Sequence, residues 1–244
     1  VERVISGGEH SFVKVCSVCL AGLALLVYVR EEIASSIRHV SSDRIQTGFG
    51  GLAANKGGVC ARMAIGDTTA CFTNVHLPAG TGSANAAKRD RHLSRIMSRA
   101  LSGESARRGL WPLPARKPAS FDFAAVFGDL NSRPEMEAAE RRGAKSSQAR
   151  LEADELLRGR IPSLHGFLEG TVDFPPTFRY VPGTDDYSPR SSPAWCDRIV
   201  FRTAAGADAE LLEYGSFHEL RHTSDHRPVA AQIRAPRGRP QGTL

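Results

Sequence analysis

Polar side chains directly follow several apolar, strand-like segments, and this arrangement limits what the chain can fold into more than any other feature. The polar clusters are Asn74 with His76, Asp129 with Asn131, Trp195 to Arg198, and Ser224 to His226. Side chains at strand ends lie at the rim of a sheet, where a substrate can reach them. The pattern therefore predicts that the chemistry of this chain lies at such a rim.

Strand-like and helical segments alternate without an internal repeat, which is typical of a mixed α/β domain. The predicted strands cover residues 12–19, 23–29, 59–65, 70–76, 121–127, 197–202 and 229–233. An apolar stripe at helical spacing predicts a helix over 88–101, and another helix is predicted over 148–157. Between them, Ser132 and Glu135 have the spacing of a capping box, which predicts a helix that starts after Ser132 and ends near residue 143.

Two segments have no periodicity. Residues 102–119 are rich in Gly, Pro, Arg and Ser and predict a surface insertion, whereas residues 234–244 predict a basic, flexible tail. The apolar run from Val15 to Val29 is shorter than the roughly 18 to 20 residues that a membrane-spanning helix needs. We interpret it as two consecutive strands.

The charge of the chain favours a partner that carries phosphate. Lys and Arg total 32 against 26 Asp and Glu, which gives a formal net charge of +6. Nucleic acid, inositol phosphates and an anionic membrane all fit this charge. The five cysteines are an odd number in apolar surroundings, which argues against a disulfide framework and favours a reducing compartment.

Three of the polar clusters have both a chemical and a purely structural interpretation. Asp129 and Asn131 lie on the same side of an extended chain and could hold a water between them, but Gly-Asp-x-Asn is equally typical of an Asx turn. Asp197 and His226 could form a pair in which the carboxylate fixes the imidazole tautomer, or could belong to unrelated turns. Because the chain has no Gly-x-Ser-x-Gly elbow, we expect water rather than serine to be the nucleophile.

Two further segments could contact a phosphate. Asn55 and Lys56 precede two glycines in a turn that could bind a phosphate or simply join two strands, and the spacing excludes a P-loop. Arg179 and Tyr180 follow a proline pair and could form a substrate wall or only pack.

Taken together, these segments resemble the inositol polyphosphate 5-phosphatase family, within the superfamily of DNase I-like endonucleases, exonucleases and phosphatases. The resemblance covers about residues 12–233. The motifs that carry it are Asn55-Lys56-Gly57-Gly58-Val59, Asn74-Val75-His76-Leu77, Gly128-Asp129-Leu130-Asn131, Phe174-Pro175-Pro176-Thr177-Phe178-Arg179-Tyr180, Pro193-Ala194-Trp195-Cys196-Asp197-Arg198-Ile199 and Ser224-Asp225-His226-Arg227-Pro228.

The resemblance implies a four-layer α/β sandwich, with residues 1–233 as a catalytic domain that hydrolyses the 5-phosphate of phosphoinositide lipids or soluble inositol polyphosphates with Mg²⁺. It implies that Asp129 orients or deprotonates the attacking water beside Asn131, and that His226, held by Asp197, stabilises the phosphoryl group. It further implies that His76 touches the scissile phosphate.

The remaining site residues implied by the resemblance bind the substrate or the metal. Asp225 is expected near the metal. Phosphates on the inositol ring are expected to meet Asn55, Lys56, Arg179, Tyr180 and Arg198. The expected location is cytoplasmic, with peripheral membrane contact.

The chain also departs from the family pattern. The family's glutamate that ligates magnesium would precede Val1, so we expect an N-terminally truncated fragment with impaired activity. An aromatic residue is frequent in the family where Ser132 stands, and a lysine where Arg179 stands. A non-catalytic phosphoinositide-binding module is therefore an alternative, as is a nuclease of the same superfamily, although Lys56 and the Trp195 to Arg198 string argue against nucleic acid as the partner.

Overall fold

The computed structural model describes residues 10–48, 53–102, 121–135, 146–205, 208–220 and 223–235. These residues form strands β1 Phe12–Leu20, β2 Leu23–Arg30, β3 Ile37–Gly48, β4 Ala53–Ile65, β5 Thr68–His76, β6 Phe123–Asp129, β7 Leu168–Glu169, β8 Asp197–Thr203, β9 Glu210–Ser216 and β10 Val229–Arg234. The α-helices are α1 Ser83–Ser102 and α2 Ser147–Glu152. Short 3₁₀ turns cover Glu31–Ser36 and Pro162–Leu164.

A six-stranded sheet in the order β3-β4-β5-β6-β8-β7 carries the site. Only β5 and β6 are parallel neighbours among these described pairs; the other pairs in the sheet are antiparallel. Parallel strands need a crossover, and α1 supplies it between β5 and β6. Two antiparallel hairpins, β1–β2 and β9–β10, lie outside this sheet.

Helix α1 covers one face of the sheet with the apolar stripe predicted from the sequence. Leu93, Ile96 and Ala100 are fully buried against sheet residues that include Cys71 and Val126. The predicted helix over 88–101 is confirmed, and it begins earlier, at Ser83.

The two hairpins cover the opposite face of the sheet. Leu20 and Leu23 of the first hairpin pack on Val59, and Leu211 of the second packs beside Phe123. The described residues therefore form a helix layer, a central sheet and a hairpin layer, which confirms the mixed α/β class. In the described part of the chain, no helix is both long enough and apolar enough to cross a bilayer.

Two predicted helices differ from the structure. Residues 132–135, the described part of one predicted helix, are not helical. The Ser132 hydroxyl donates to Asp154 Oδ2 at 2.7 Å instead of capping a turn, and Pro134 bridges to Asp154 in an extended backbone. Glu135 likewise pairs with Arg158 and Arg160 rather than completing a capping box. The rest of that predicted helix, residues 136–143, lies outside the described residues.

The other predictions over these regions have mixed outcomes. The helix predicted over 148–157 is shorter, since α2 ends at Glu152 and turns follow. Most of the predicted insertion and tail, residues 103–119 and 236–244, lies outside the described residues. The strands β3 and β9 were not predicted, because most of their side chains are exposed or half-buried and their sequences lack a clean apolar alternation.

Candidate active site

The register of the central sheet brings four chain segments to one rim. Gly57 of β4 faces His76 of β5, His76 faces Asp129 of β6, and Asp129 faces Asp197 of β8. Three of the polar clusters found in the sequence therefore lie side by side on neighbouring strands. The fourth, with His226, joins them through a bridge between Phe178 and His226.

Two glycines permit this close approach of the strands. A Cβ on Gly57 would lie 2.2 Å from the carbonyl oxygen of Ile45. Gly128 has a φ of +114°, and a Cβ there would lie 2.2 Å from Oδ1 of Asn74. Both positions therefore require glycine. A side chain at Gly57 would push β4 away from β3, and one at Gly128 would push apart the strands that carry His76 and Asp129.

Asp129 and Asn131 form a tight hydrogen-bonded turn at the end of β6. The backbone N–H of Asn131 donates to Oδ1 of Asp129 at 2.9 Å, and Nδ2 of Asn131 donates to Oδ2 at 3.0 Å. Asn131 adopts a φ of +53°, a left-handed conformation that asparagine tolerates better than most residues. The turn is thus an Asx turn, and it also places both side chains at the rim; the two interpretations of this motif are compatible.

Asp129 remains ionised in this setting. Burial acts to raise the pKa of its carboxyl, but the hydrogen bond from His76 and the charge of His226 outweigh burial and lower it. Nε2 of His76 lies 3.1 Å from Oδ2 of Asp129. The carboxylate is therefore available to accept a proton or a hydrogen bond.

Asp197 and His226 form the predicted pair. Nδ1 of His226 lies 2.8 Å from Oδ2 of Asp197, and Thr177 donates its hydroxyl to the same oxygen at 2.7 Å. The ring of Phe178 packs against His226 with 4.6 Å between centroids. Burial acts to lower the pKa of His226, but its hydrogen bond with Asp197 and the charge of that residue raise it overall, while burial raises the pKa of Asp197.

The loop that carries Thr177 and Phe178 is held from both sides. Phe178 N–H donates to the carbonyl of Ala194 at 3.1 Å, and Arg227 N–H donates to the carbonyl of Thr177 at 2.8 Å. This ladder brings the segment around Asp197 and the segment around His226 together, although they are 29 residues apart in sequence.

Lys56 meets the site from β4. Its Nζ contacts Nε2 of His76, and burial lowers the pKa of the amine despite the opposing charge of Asp129. Asn55, the residue before it, is exposed. Lys56 thus lies among the catalytic candidates, and Asn55 is at the surface beside them.

Arg179 and Asp225 form an ion pair at the edge of the site. Nε of Arg179 lies 3.1 Å from Oδ2 of Asp225, and both side chains are about one-third exposed, at 37% and 34%. Asp225 thus lies beside Arg179, and the guanidinium remains accessible to an anionic ligand.

Tyr180 and Arg198 do not face the solvent, contrary to the substrate-binding role expected for them. Tyr180 is 2% exposed, and its hydroxyl is 2.8 Å from that of Tyr187. Arg198 is 1% exposed and binds Asp154 and Glu169 at 2.9 and 2.6 Å. Because these buried carboxylates already satisfy its guanidinium, we assign Arg198 a structural role beneath Asp197 instead of a contact with the inositol ring.

Sequence reasoning did not single out Arg133. Its Nη2 donates to Oδ1 of Asn131 at 2.5 Å, and its guanidinium lies 4.5 Å from the ring centroid of Phe178. A lone arginine after an Asp-x-Asn motif carries no periodic signal. Only the three-dimensional neighbourhood of Phe178 reveals its place in the site.

A divalent cation fits the donors at this rim. Asp129, Asp197 and His226 each offer a ligand atom, and the three atoms lie within 4.8 Å of one another. Carboxylate oxygens are the ligands that Mg²⁺ and Ca²⁺ prefer. In the described part of the chain the hydrogen bonds to the Asp197 side chain all go to Oδ2, which leaves Oδ1 able to bind a cation.

The arrangement can stabilise and attack a phosphorylated substrate. An ionised carboxylate and an amide lie on one side, and a protonatable histidine held by a second carboxylate lies on the other. Lys56 and Arg179 add positive charge at the same rim. This combination suits in-line attack by water on a charged phosphate, where positioning and electrostatics supply the catalysis.

Comparison with known families supports the resemblance seen in the sequence. A family model described as endonuclease/exonuclease/phosphatase family 2 matches residues 2–232. A type II inositol 1,4,5-trisphosphate 5-phosphatase from Mus musculus is 33% identical over 235 residues, which cover 91% of this chain and 22% of the relative. A phosphatidylinositol 4,5-bisphosphate 5-phosphatase A from Homo sapiens is 32% identical, over 93% of this chain and 24% of the relative. The chain thus spans less than a quarter of either relative.

Solved structures show the same fold. The inositol polyphosphate 5-phosphatase domain of SPSynaptojanin, in complex with inositol (1,4)-bisphosphate and calcium, is 29% identical with a TM-score of 0.73, over 96% of this chain and 68% of that chain. A Cimex nitrophorin variant in its ferrous NO complex matches with a TM-score of 0.69 at 20% identity, over 92% of this chain and 75% of that chain. The second likeness concerns the fold alone. The predicted DNase I-like class is confirmed by the first.

Proposed function

The chain belongs to the endonuclease/exonuclease/phosphatase family 2, and from this premise we propose that it hydrolyses the 5-phosphate of phosphoinositides or soluble inositol polyphosphates, with Mg²⁺ and with water as the nucleophile. One observation carries the proposal. The Asp129–Asn131 turn and the Asp197–His226 pair meet at one rim, together with His76 and Lys56. The activities for which the relatives are named, and the inositol bisphosphate bound to the synaptojanin domain, support the substrate class.

Asp129 and Asn131 act on the attacking water. The lowered pKa of Asp129 keeps its carboxylate ionised, so it accepts a proton or a hydrogen bond from the water at neutral pH. The Nδ2 group of Asn131 donates to Oδ2 of Asp129 and to the carbonyl of Leu77 at 2.9 Å, so the turn cannot rotate freely. A fixed acceptor beside the substrate lowers the entropic barrier to in-line attack.

His226 and His76 act on the phosphate. The raised pKa of His226 favours the protonated ring, and its Nδ1 is bound to Asp197, so Nε2 is the atom that donates to a phosphoryl oxygen. His76 and Lys56 contribute further donors from the opposite strand pair. Together these donors compensate the charge that develops in the transition state.

The carboxylates of Asp129 and Asp197 would hold the metal, with Asp225 expected nearby. Bound Mg²⁺ supplies positive charge that stabilises the phosphate oxygens in the transition state. The proposed partners are an inositol lipid at the cytoplasmic face of a membrane, which the chain would contact peripherally, or a soluble inositol polyphosphate. Nucleic acid is not among the proposed partners.

The test is Mg²⁺-dependent phosphate release. The chain is incubated with phosphatidylinositol 4,5-bisphosphate in vesicles and, separately, with soluble inositol 1,4,5-trisphosphate. Asp129→Asn is the test variant, and Arg38→Met is the control, because Arg38 is an exposed residue that bonds Gly66 near the far end of β4. We expect release that requires both Mg²⁺ and Asp129.

Three other results would change the assignment. Release that Asp129→Asn does not reduce would refute the assigned mechanism. Binding of the lipid without release would indicate a phosphoinositide-binding module instead. Cleavage of duplex DNA in place of phosphate release would indicate a nuclease.

A further inference from the structure

Arg133 lies beneath the site and contacts both of its halves. The residue is 7% exposed and follows Asn131 by two positions. Its Nη2 donates to Oδ1 of Asn131 at 2.5 Å. Its guanidinium carbon lies 4.5 Å from the ring centroid of Phe178, which itself packs on His226 at 4.6 Å.

The contact with Asn131 determines which way its amide points. A guanidinium has only donors, so the atom that it meets must be the amide oxygen. The amide nitrogen is then directed at Oδ2 of Asp129 and at the carbonyl of Leu77. If the amide were reversed, two donors would meet at Arg133 and two acceptors would meet at Asp129, which is unfavourable at both ends. Arg133 therefore fixes the orientation on which the Asp129–Asn131 turn depends.

The contact with Phe178 supports the other half of the site. A guanidinium packed over an aromatic face is attracted by the ring's quadrupole and limits the movement of the ring. Phe178 in turn lies against His226, the ring that Asp197 holds from its Nδ1 side. Arg133 thus restrains His226 from the face that Asp197 does not reach.

Hydrogen bonds to a neighbouring buried segment hold the backbone at Arg133 in place. Its carbonyl accepts a hydrogen bond from the N–H of Glu155 at 3.1 Å, and the next residue, Pro134, bridges to Asp154. Asp154 and Glu155 are 0% and 1% exposed and are paired with buried arginines. A side chain that projects from such a fixed segment can hold its partners within the narrow limits that catalysis needs.

The Nε of Arg133 is enclosed within the protein. Its Nε is buried and has no hydrogen-bond partner among the described residues. An unpaired buried donor is costly, and stacking on Phe178 offsets part of that cost. A nitrogen enclosed in this way cannot contact a substrate unless the site opens.

We propose that Arg133 is a positioning residue, which holds the Asn131 amide toward Asp129 and supports Phe178 against His226. The inference rests on the proposed function, since it concerns the same site. It predicts that Arg133 acts on the rate of the chemical step rather than on substrate binding.

The experiment compares Arg133→Met and Arg133→Lys with the control Arg38→Met. Phosphate release gives kcat and KM on phosphatidylinositol 4,5-bisphosphate vesicles with Mg²⁺. We expect kcat to fall roughly 10- to 100-fold in Arg133→Met with KM within about twofold, as for other residues that orient a catalytic group. We expect Arg133→Lys to stay impaired, because an ammonium can bond the amide but cannot stack as a planar fork.

A second measurement does not depend on activity. The side-chain amide of Asn131, assigned by NMR from its loss in Asn131→Ser, should show slow hydrogen exchange in the parent chain and in Arg38→Met. Exchange should become faster in Arg133→Met. If the chain releases no phosphate from any inositol phosphate, the proposed function fails, and this NMR comparison still decides the role of Arg133.

Two outcomes overturn the inference. The first is unchanged exchange of the Asn131 amide in Arg133→Met. The second is a rise in KM at constant kcat, which would mean that Arg133 binds substrate. Thermal unfolding shows whether each variant is folded. If Arg133→Met is not folded, Arg133→Lys, which keeps the buried charge, decides by kcat and KM: the inference then fails if kcat is unchanged or if only KM rises.

Discussion

The substitution Asp197→Asn tests the Asp197–His226 pair most directly, because the structure predicts which way the new amide points. Thr177 Oγ1 accepts from the Asp197 N–H at 3.2 Å and donates its own proton to Oδ2 of Asp197. His226 Nδ1 also approaches Oδ2, at 2.8 Å. Both neighbours therefore require an acceptor at this position, and the amide oxygen of the introduced asparagine should occupy it. The imidazole tautomer is then retained and the negative charge is lost. Because Asp197 is also a proposed metal ligand, the variant is compared with the parent at saturating Mg²⁺.

The size of the effect follows from that charge. A hydrogen bond to a charged group contributes about 1.5–3 kcal/mol, which corresponds to a roughly 10- to 150-fold loss of kcat. A reversed tautomer would cost about 10⁴-fold, as a wrong tautomer does in serine proteases. The two magnitudes separate the two orientations of the amide.

The pH dependence has a definite sign. The pKa of His226 is raised in the parent chain because the hydrogen bond and charge of Asp197 outweigh burial. Loss of the charge lowers this pKa, so the protonated ring is lost at a lower pH. We therefore expect the alkaline limb of the kcat profile to move to lower pH in Asp197→Asn.

The assay is the pH profile of Mg²⁺-dependent phosphate release, with the His226 tautomer read from ¹⁵N chemical shifts. An unshifted alkaline limb at full kcat would refute the role of the pair. A loss near 10⁴-fold with a reversed tautomer would refute the argument from Thr177.

Three further predictions concern stability. Gly128→Ala should destabilise the fold by more than about 1 kcal/mol in urea unfolding, whereas Gly215→Ala, where nothing lies within 4 Å, should cost less than Gly128→Ala; equal midpoints would refute the packing argument. Arg198→Met leaves the carboxylates of Asp154 and Glu169 without their cationic partner and should cost about 3–5 kcal/mol, against almost nothing for the exposed Arg38→Met; a cost below about 1 kcal/mol would contradict it. Burial and the charges of neighbouring basic residues lower the pKa of His92, so its contribution to the free energy of unfolding is present above about pH 6.5 and is lost as pH falls. His92→Gln should therefore reduce the loss of thermal stability at acid pH. An unchanged dependence on pH would exclude His92 as its source.

Much of the site could be predicted because strand ends follow from local patterns. The apolar strands β5 and β6 end at His76 and Asp129, and Asp197 opens the apolar strand β8, which runs antiparallel to β6. The sheet therefore brings these three residues to one rim. Helix α1 was likewise predictable, since its buried stripe repeats at helical spacing. Each of these signals lies within a single strand or helix, so it can be seen in the local sequence.

What could not be predicted depends on partners that are distant in sequence. Nothing local indicates that Arg198 is neutralised by Asp154 and Glu169, which lie 44 and 29 residues away. The local sequence around Arg198 fits an exposed arginine as well as a buried one. The two carboxylates that pair with it in the structure determine that it is buried. Arg133 was missed for the same reason, because its partner Phe178 belongs to a loop placed by other segments.

The buried carboxylates also explain why a small residue is tolerated at position 132, where the family often carries an aromatic side chain. Ser132 is fully buried, and its hydroxyl donates to Asp154 Oδ2 while accepting weakly from the N–H of Leu156 at 3.4 Å. Asp154 uses its other oxygen for Arg198, the residue directly after Asp197. The hydroxyl therefore links the turn of Asn131 to the strand of Asp197 from below. Position 132 therefore affects the site through the Ser132–Asp154–Arg198 connection and not through contact with a ligand. The difference from the family at this position concerns how the two halves of the site are aligned.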